Sequence, residues 1–423
     1  MIKILKDMPE SRAQMFSGVE KKIDVTAIVK EIIATVQRDG DKALKAYAQK
    51  FDGAVLDDLR VSQAEIAEAV ESVEPEFLEI LQKAAANIRE FHLQQRRDGF
   101  RLDKDGVVVG QKIIPIENAG LYVPGGTAAY PSTVLMDAIP AKIAGCKRVV
   151  MTTPPDKRGK VNPVILAAAY VAGVDEIYKS GGAQAIAALA YGTESVPKVD
   201  KIVGPGNAFV AEAKRQVFGA VSIDMIAGPS EIMVLADGKN NPKHIAADLL
   251  SQAEHDKMAS AVLVTDDMSF AKAVAQEIEE QIPLLARAEI ARASIDDNGK
   301  IIVTDDIERA VEVANQIAPE HLEVCLDEPF AYLDKIKNAG SVFLGRYCPE
   351  ALGDYYAGSN HTLPTSGTAR FSSALSVDDF IKKTQYIYYD ESALKKVCKD
   401  VEYFANKEGL TAHARSAVIR FED

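Results

Sequence analysis

Four of the six histidines in this 423-residue chain sit in short polar motifs. They are Gln252-Ala253-Glu254-His255, Pro319-Glu320-His321, the segment Asp354 to His361 (DYYAGSNH) and Thr411-Ala412-His413. A hydrophobic core would not gather imidazoles beside so many amides and carboxylates. Imidazole and carboxylate together suit a divalent metal of borderline hardness, and imidazole is the commonest general base near neutral pH. The expectation is a metal-assisted active site in the second half of the chain.

Each motif implies its own local geometry. Asn241-Pro242 reads as a helix start, a cap followed by a residue preset for the first turn. The helix through HIAADLLSQAEHD then puts Gln252 and His255 three residues apart on one face, continuing the apolar stripe of Ile245 and Leu249. A solvated helix end explains the same residues equally well, and glutamine is a poor metal ligand. Glu320 and His321 precede the alternating strand Leu322 to Leu326. Adjacent residues on extended backbone point opposite ways, so both reach one substrate only from an irregular turn. In such a turn they could divide labour as carboxylate and imidazole bases; a surface Pro-Glu turn is the alternative. Gly353, Gly358, Ser359 and Asn360 make the segment Asp354 to His361 a loop. Glu408-Gly409 reads as the C-terminal cap of ALKKVCKDVEYFANKE, and Thr411 starts a further helix with His413 in its first turn. Neutral imidazole is favoured there, as a metal ligand must be.

The elements that position these residues change character along the chain. The first hundred residues repeat apolar positions at helical spacing, as in VTAIVKEIIATVQ and EPEFLEILQKAAANIREFHLQQ. From about residue 115, short β-branched runs alternate with alanine-rich helices, which implies βαβ units, mainly parallel sheets and two Rossmann-like halves. After about Phe371 the alternation stops, and a mostly helical tail is expected. Four glycine-rich turns punctuate the parallel region: Tyr122 to Gly126, Gly181 to Gln184, Gly204 to Asn207 and Ala227 to Ser230. The middle two follow a strand and open a helix, where backbone amides can hold a phosphate. None is a G-x-G-x-x-G or a Walker sequence, and tight βα turns need glycine in any case.

Composition narrows the classes. A net charge of -13 argues against nucleic-acid binding. The N-terminal MIKILKDMPESR carries no readable signal peptide or anchor, and no run approaches the ~20 apolar residues that span a bilayer. Cys146, Cys325, Cys348 and Cys398 are scattered without a Cys-x-x-Cys pair, which argues against disulfide or cysteine-rich metal frameworks and for a reducing cytoplasm.

Seven motifs occurring in order, GLYVPGG, GPGNAFVAEAKRQVFG, AGPSE, LLSQAEHD, APEHLE, GDYYAGSNHTLPT and GLTAH, resemble histidinol dehydrogenases from about residue 115 to the C-terminus. The resemblance implies an aldehyde dehydrogenase-like α/β architecture of two Rossmann-like α/β/α domains, with a helical N-terminal region and an extended helical C-terminal tail. It implies a catalytic, zinc-binding domain from residues 1–115 and 236–370, an inserted NAD-binding domain over 116–235, and a dimerisation tail over 371–423. By position, Gln252, His255, Asp354 and His413 match one zinc site per subunit, and Glu320 and His321 match the catalytic pair. Ser230 and Glu408, with Gln252, His255, His321, Asp354 and His413, match substrate contacts; Tyr122, Gln184 and Asn207 match NAD contacts. His361 lies near this set without a ligand role.

The implied reaction is oxidation of L-histidinol to L-histidine through the aldehyde with two NAD, the last step of histidine biosynthesis. The implied assembly is a homodimer in which Glu408 and His413 serve the partner's site. A zinc hydrolase would need no NAD turns, an aldehyde dehydrogenase-like enzyme would need a nucleophilic cysteine, and a zinc-stabilised binding protein would leave Glu320-His321 without a purpose.

Overall fold

A computed structural model describes residues 2–17, 24–125 and 129–422. The expected α/β class holds: two parallel sheets carry the alternating part of the chain. Five strands, in spatial order Glu176–Lys179, Arg148–Thr153, Asn118–Tyr122, Lys201–Val203 and Ser222–Ile223, form one sheet. Six strands form the other, ordered Lys3–Lys6, Lys300–Val303, Ser260–Thr265, Glu231–Ala236, His321–Cys325 and Ser341–Leu344. Every pairing in both is parallel. Parallel strands need covered faces, and these read as nearly continuous apolar runs. Ile232, Met233, Val234, Leu235 and Ala236 are all buried.

Local signals set the connecting helices. Proline opens the helices Pro131–Ala144, Pro163–Ala172 and Pro242–Ala253. Asn162 and Asn241 cap two of them, with Asn241 Oδ1 accepting from the Lys243 amide at 3.0 Å. Ser62 and Glu65 form a reciprocal capping box on Gln63–Ser72. Of residues 1–115, Lys3–Lys6 pairs in the six-stranded sheet and Met15 packs beneath it. The helix Thr26–Tyr47 instead buries Val29, Ile33, Val36 and Leu44 in one core with Ile186, Leu189 and Ile202 of the five-stranded half. The glycine turns after Tyr122, Lys179 and Val203 lie at the C-terminal ends of their strands; Gly126, which ends the first, lies outside the described residues.

Residues 96–116 and 381–423 form a second compact unit. Its hairpin pairs Phe100–Lys104 with Val107–Pro115 around Asp105-Gly106, both at positive φ as a tight hairpin turn requires. The pattern after residue 371 predicts a mostly helical tail, but IKKTQYIYY forms a nine-residue strand, Ile381–Tyr389, antiparallel to Val107–Pro115. Its aromatic and β-branched residues favour that state. The helices Glu391–Lys407 and Thr411–Val418 follow, joined by Gly409 at φ 77° as the capping pattern predicts. Among the described residues, no helix is long and apolar enough to cross a membrane.

Candidate functional site

Within the first unit, Glu231, Glu320, His321, Glu350 and Asp354 gather at the N-terminal strand ends of the six-stranded sheet. Ala318 ends the preceding helix at φ 55°, in the left-handed region, and this irregular turn delivers Glu320 and His321 to the same place. Their side chains then approach to 3.6 Å (His321 Nδ1 to Glu320 Oε2), as the sequence reading required. His321 begins its strand, and its Nδ1 lies 2.9 Å from the Glu231 carbonyl oxygen. That contact fixes Nδ1 as a donor and makes Nε2 the nitrogen that can gain or lose a proton. Nε2 is buried without a hydrogen-bond partner among the described residues, 3.7 Å from Asp354 Oδ1 and 3.9 Å from Glu350 Oε1.

Asp354 is not on a loop. It lies in the short helix Glu350–Tyr355, which begins after Pro349 and carries Glu350 one turn before it. Gly353 allows this helix to sit against the Phe343 ring, where a Cβ would collide. The neighbouring helix Pro242–Ala253 stops two residues before His255, whose amide donates to the Gln252 carbonyl at 3.1 Å. Gln252 is almost wholly buried. In the amide orientation that satisfies its surroundings, its nitrogen donates to both Glu350 oxygens, at 2.9 and 3.2 Å. The glutamine carbonyl oxygen is thereby turned away from Glu350.

Burial and mutual repulsion disturb every acid here. Burial raises Glu320 to about 8, Glu350 to about 7 and Glu231 to about 7. Glu320 Oε2 accepts from the Glu231 amide at 2.8 Å, and the Ser366 amide donates to Glu231 at 3.2 Å. Behind them, burial and then Asp248 push Glu323 to about 9, and Glu323 accepts from the Glu350 amide at 2.7 Å. Burial works against a charge on His321, but Glu320, Asp354 and Glu350 together hold its proton to about 10. Burial also acts to raise Asp354, yet His321, His361 and His255 keep it below the usual carboxylate range. His255 and His361 are lowered by burial, so both are neutral near pH 7.

These groups fit a divalent cation. Donor atoms of His321, Glu350 and Asp354 lie within 4.8 Å of one another; His255 interacts electrostatically with Asp354 and His321, and the Gln252 amide nitrogen donates to Glu350. Mixed nitrogen and oxygen donors in a buried, acid-rich site suit zinc-like ions, which would offset the carboxylate charge. Glu231 and Glu350 were missed in the sequence reading. The Glu at the head of EIMVLAD and the Pro-Glu before a short helix could have drawn attention, but no spacing links either to His321.

The remaining expected residues are distributed as follows. Ser230 is half-buried beside Glu231. His361 has Nε2 3.3 Å from Thr133 Oγ1 and Nδ1 3.8 Å from Asp354 Oδ1. Glu408 and His413 belong to the second unit, at the end of Glu391–Lys407 and on Thr411–Val418, and both are exposed. Tyr122 is buried, and its hydroxyl accepts from the Gly182 amide at 3.0 Å, tying two glycine turns together. Gln184 is buried in the first turn of Gly182–Tyr191, whereas Asn207 is exposed and caps Ala208–Val217 through the Phe209 and Val210 amides.

The family model for histidinol dehydrogenase matches residues 17–421. The histidinol dehydrogenase of Bacillus cereus is 58% identical over 396 residues, spanning 93% of this chain and 92% of the relative. That of Geobacillus kaustophilus is 55% identical over 412 residues, spanning 97% and 96%. The crystal structure of histidinol dehydrogenase from Elizabethkingia anophelis superposes with a TM-score of 0.94 at 41% identity, covering 99% of this chain and 98% of that one.

Proposed function

Since the chain belongs to the histidinol dehydrogenase family, an oxidoreductase family by its name, we propose that it oxidises L-histidinol to L-histidine with two NAD and one zinc ion. The observation that carries this reading is the buried His321, with Glu320 beside its Nδ1 and with Glu350 and Asp354 beside its Nε2. Gln252, His255 and Asp354 would hold the zinc together with His413 of a second subunit. Bound there, the ion would chelate the imidazole and amino nitrogens of the substrate and so fix the alcohol carbon for reaction.

The chain's own groups then account for the proton movements. His321, with Nδ1 committed to the Glu231 carbonyl, takes the alcohol proton on Nε2 as hydride leaves the carbon for the first NAD, once a cation among Glu350 and Asp354 has offset the charge that otherwise keeps the ring protonated. Glu320 removes a proton from water as its oxygen attacks the aldehyde carbon. His321 takes the hydroxyl proton of the resulting hydrate as hydride passes to the second NAD. The balance is histidinol, two NAD and one water giving histidine carboxylate, two NADH and three protons. Ser230 and Glu408 would bind the substrate, and Tyr122, Gln184 and Asn207 would border NAD. The domain division of 1–115 with 236–370, 116–235 and 371–423, the homodimer, the place at the end of histidine biosynthesis and a cytoplasmic site belong to the same reading.

Purified, zinc-supplemented protein given L-histidinol and NAD should form two NADH for each histidine. No NADH under those conditions, or turnover of esters without NAD, overturns the reading. The exposed positions of Glu408 and His413 favour their serving a partner's site. Mixing Glu320→Ala and His413→Ala subunits should therefore restore part of the activity that each lacks, and a mixture as inactive as its components argues for a site built from one chain.

A further inference from the structure

The Lys214–Asp224 ion pair lies deep in the five-stranded half, its side chains only 2% and 1% exposed. Lys214 is on the helix Ala208–Val217, and Asp224 follows the edge strand Ser222–Ile223. Together they grip one residue from both sides. Lys214 Nζ donates to the Gly204 carbonyl at 3.0 Å, and Asp224 Oδ2 accepts from the Gly204 amide at 2.8 Å. The second Asp224 oxygen accepts from the Met225 amide at 2.6 Å. Gly204 stands at φ 115°, and a Cβ there would collide with the Tyr122 carbonyl oxygen.

Burying an ion pair is a poor way to gain stability, because desolvation offsets most of the attraction and an apolar pair of similar shape does as well. What this pair supplies is placement. Asp137, fully buried, completes the cluster; a Cβ on Gly204 would be 3.0 Å from its Oδ2, and Thr362 Oγ1 donates to its Oδ1 at 3.1 Å. Burial and then the Asp224 carboxylate drive the Asp137 carboxyl well above its ordinary pKa, which favours its neutral form.

We propose that Lys214 and Asp224 are positioning residues for the cofactor: they fix the Gly204–Asn207 turn, and with it Asn207, for NAD. The pair touches neither the reacting atoms nor the histidine–carboxylate site. The Gly204 amide is spent inside the protein, so the turn meets the nucleotide through its later residues. This inference rests on the proposed use of NAD at that turn.

The test is the double variant Lys214→Met/Asp224→Leu, which removes both charges without stranding either and empties the grip on Gly204. In zinc-loaded protein, KM for NAD should rise about tenfold or more, with KM for histidinol within twofold and kcat at saturating NAD within about threefold. Direct NAD titration should weaken in parallel. The single variant Asp224→Asn keeps an acceptor for the Gly204 amide and should shift KM for NAD less than the double variant does. Unchanged KM for NAD, equal rises in both KM values, or a double variant that cannot fold each overturn the proposal, the last because the pair would then serve folding. If wild-type protein neither binds nor reduces NAD, the underlying reading fails instead, and the wild-type assay alone reveals it.

Discussion

The two parallel sheets gather their polar groups at opposite strand ends and in different forms. In the five-stranded sheet the glycine turns lie at the C-terminal strand ends, where ligands of open α/β sheets usually bind. Their polar work is done by main-chain groups whose partners are fixed inside the protein: Gly182 by Tyr122 and Gly204 by Lys214 and Asp224. In the six-stranded sheet Glu231 and His321 occupy the first positions of their strands, so the buried acids and imidazole gather at the N-terminal strand ends. There the work falls to side chains, and nearly every acid is displaced from its ordinary pKa. One loop serves both sides: Asn360 Nδ2 donates to the Met136 carbonyl at 2.7 Å, and Thr365 Oγ1 accepts from the Gly228 amide at 2.6 Å. The difference teaches that a backbone turn can be fixed by partners inside the protein, while a side-chain cluster takes its character from burial that sets its charges against one another.

Mutations can break this contrast at either edge. His321→Asn should have the largest effect, lowering kcat by about 10³-fold, the range for losing a general base, while the metal content stays at the wild-type level. Loss of the metal as well would make His321 a ligand, as its distance from Asp354 permits. Glu320→Gln should slow oxidation of supplied histidinaldehyde by about 10²-fold, more than it slows alcohol oxidation. A base acts unprotonated, and burial holds Glu320 near 8, so the wild-type aldehyde step should climb as pH rises through about 8. That climb should vanish in the variant; a retained one assigns the titration elsewhere.

Glu350→Ala frees the Gln252 amide and should weaken zinc binding by about 10- to 100-fold, as loss of a group orienting a ligand does. A far larger loss, measured by competition with a chelator, would place Glu350 on the metal itself. Tyr122→Phe should have the smallest effect. It removes one hydrogen bond, about 1 kcal/mol, and should raise KM for NAD no more than about fivefold with zinc content unchanged. A fall in zinc content would show that the two edges are not separable.

Much of this was legible in the residues. The alternation from residue 115, the capped helix after Asn241 and the Glu408-Gly409 terminus needed only periodicity and capping chemistry. The nine-residue strand after Ile381 was hidden because a lone edge strand declares itself only through its partner, here Val107–Pro115. Asp354 looked like loop because Gly353 and Gly358 flank it, yet packing of Gly353 on Phe343 holds a short helix there.

The sequence by itself determined the α/β class, the turns and the polar motifs that could hold a metal or a proton. Their assembly was decided only by tertiary structure. Glu231, His321 and Glu350 are far apart in the chain, and parallel pairing of Glu231–Ala236 with His321–Cys325 brings the first two together. Glu350 arrives because its amide reaches Glu323 on that same strand. Shared burial then turns ordinary acids into a site, since desolvation and mutual repulsion arise only after the chain has excluded water around them.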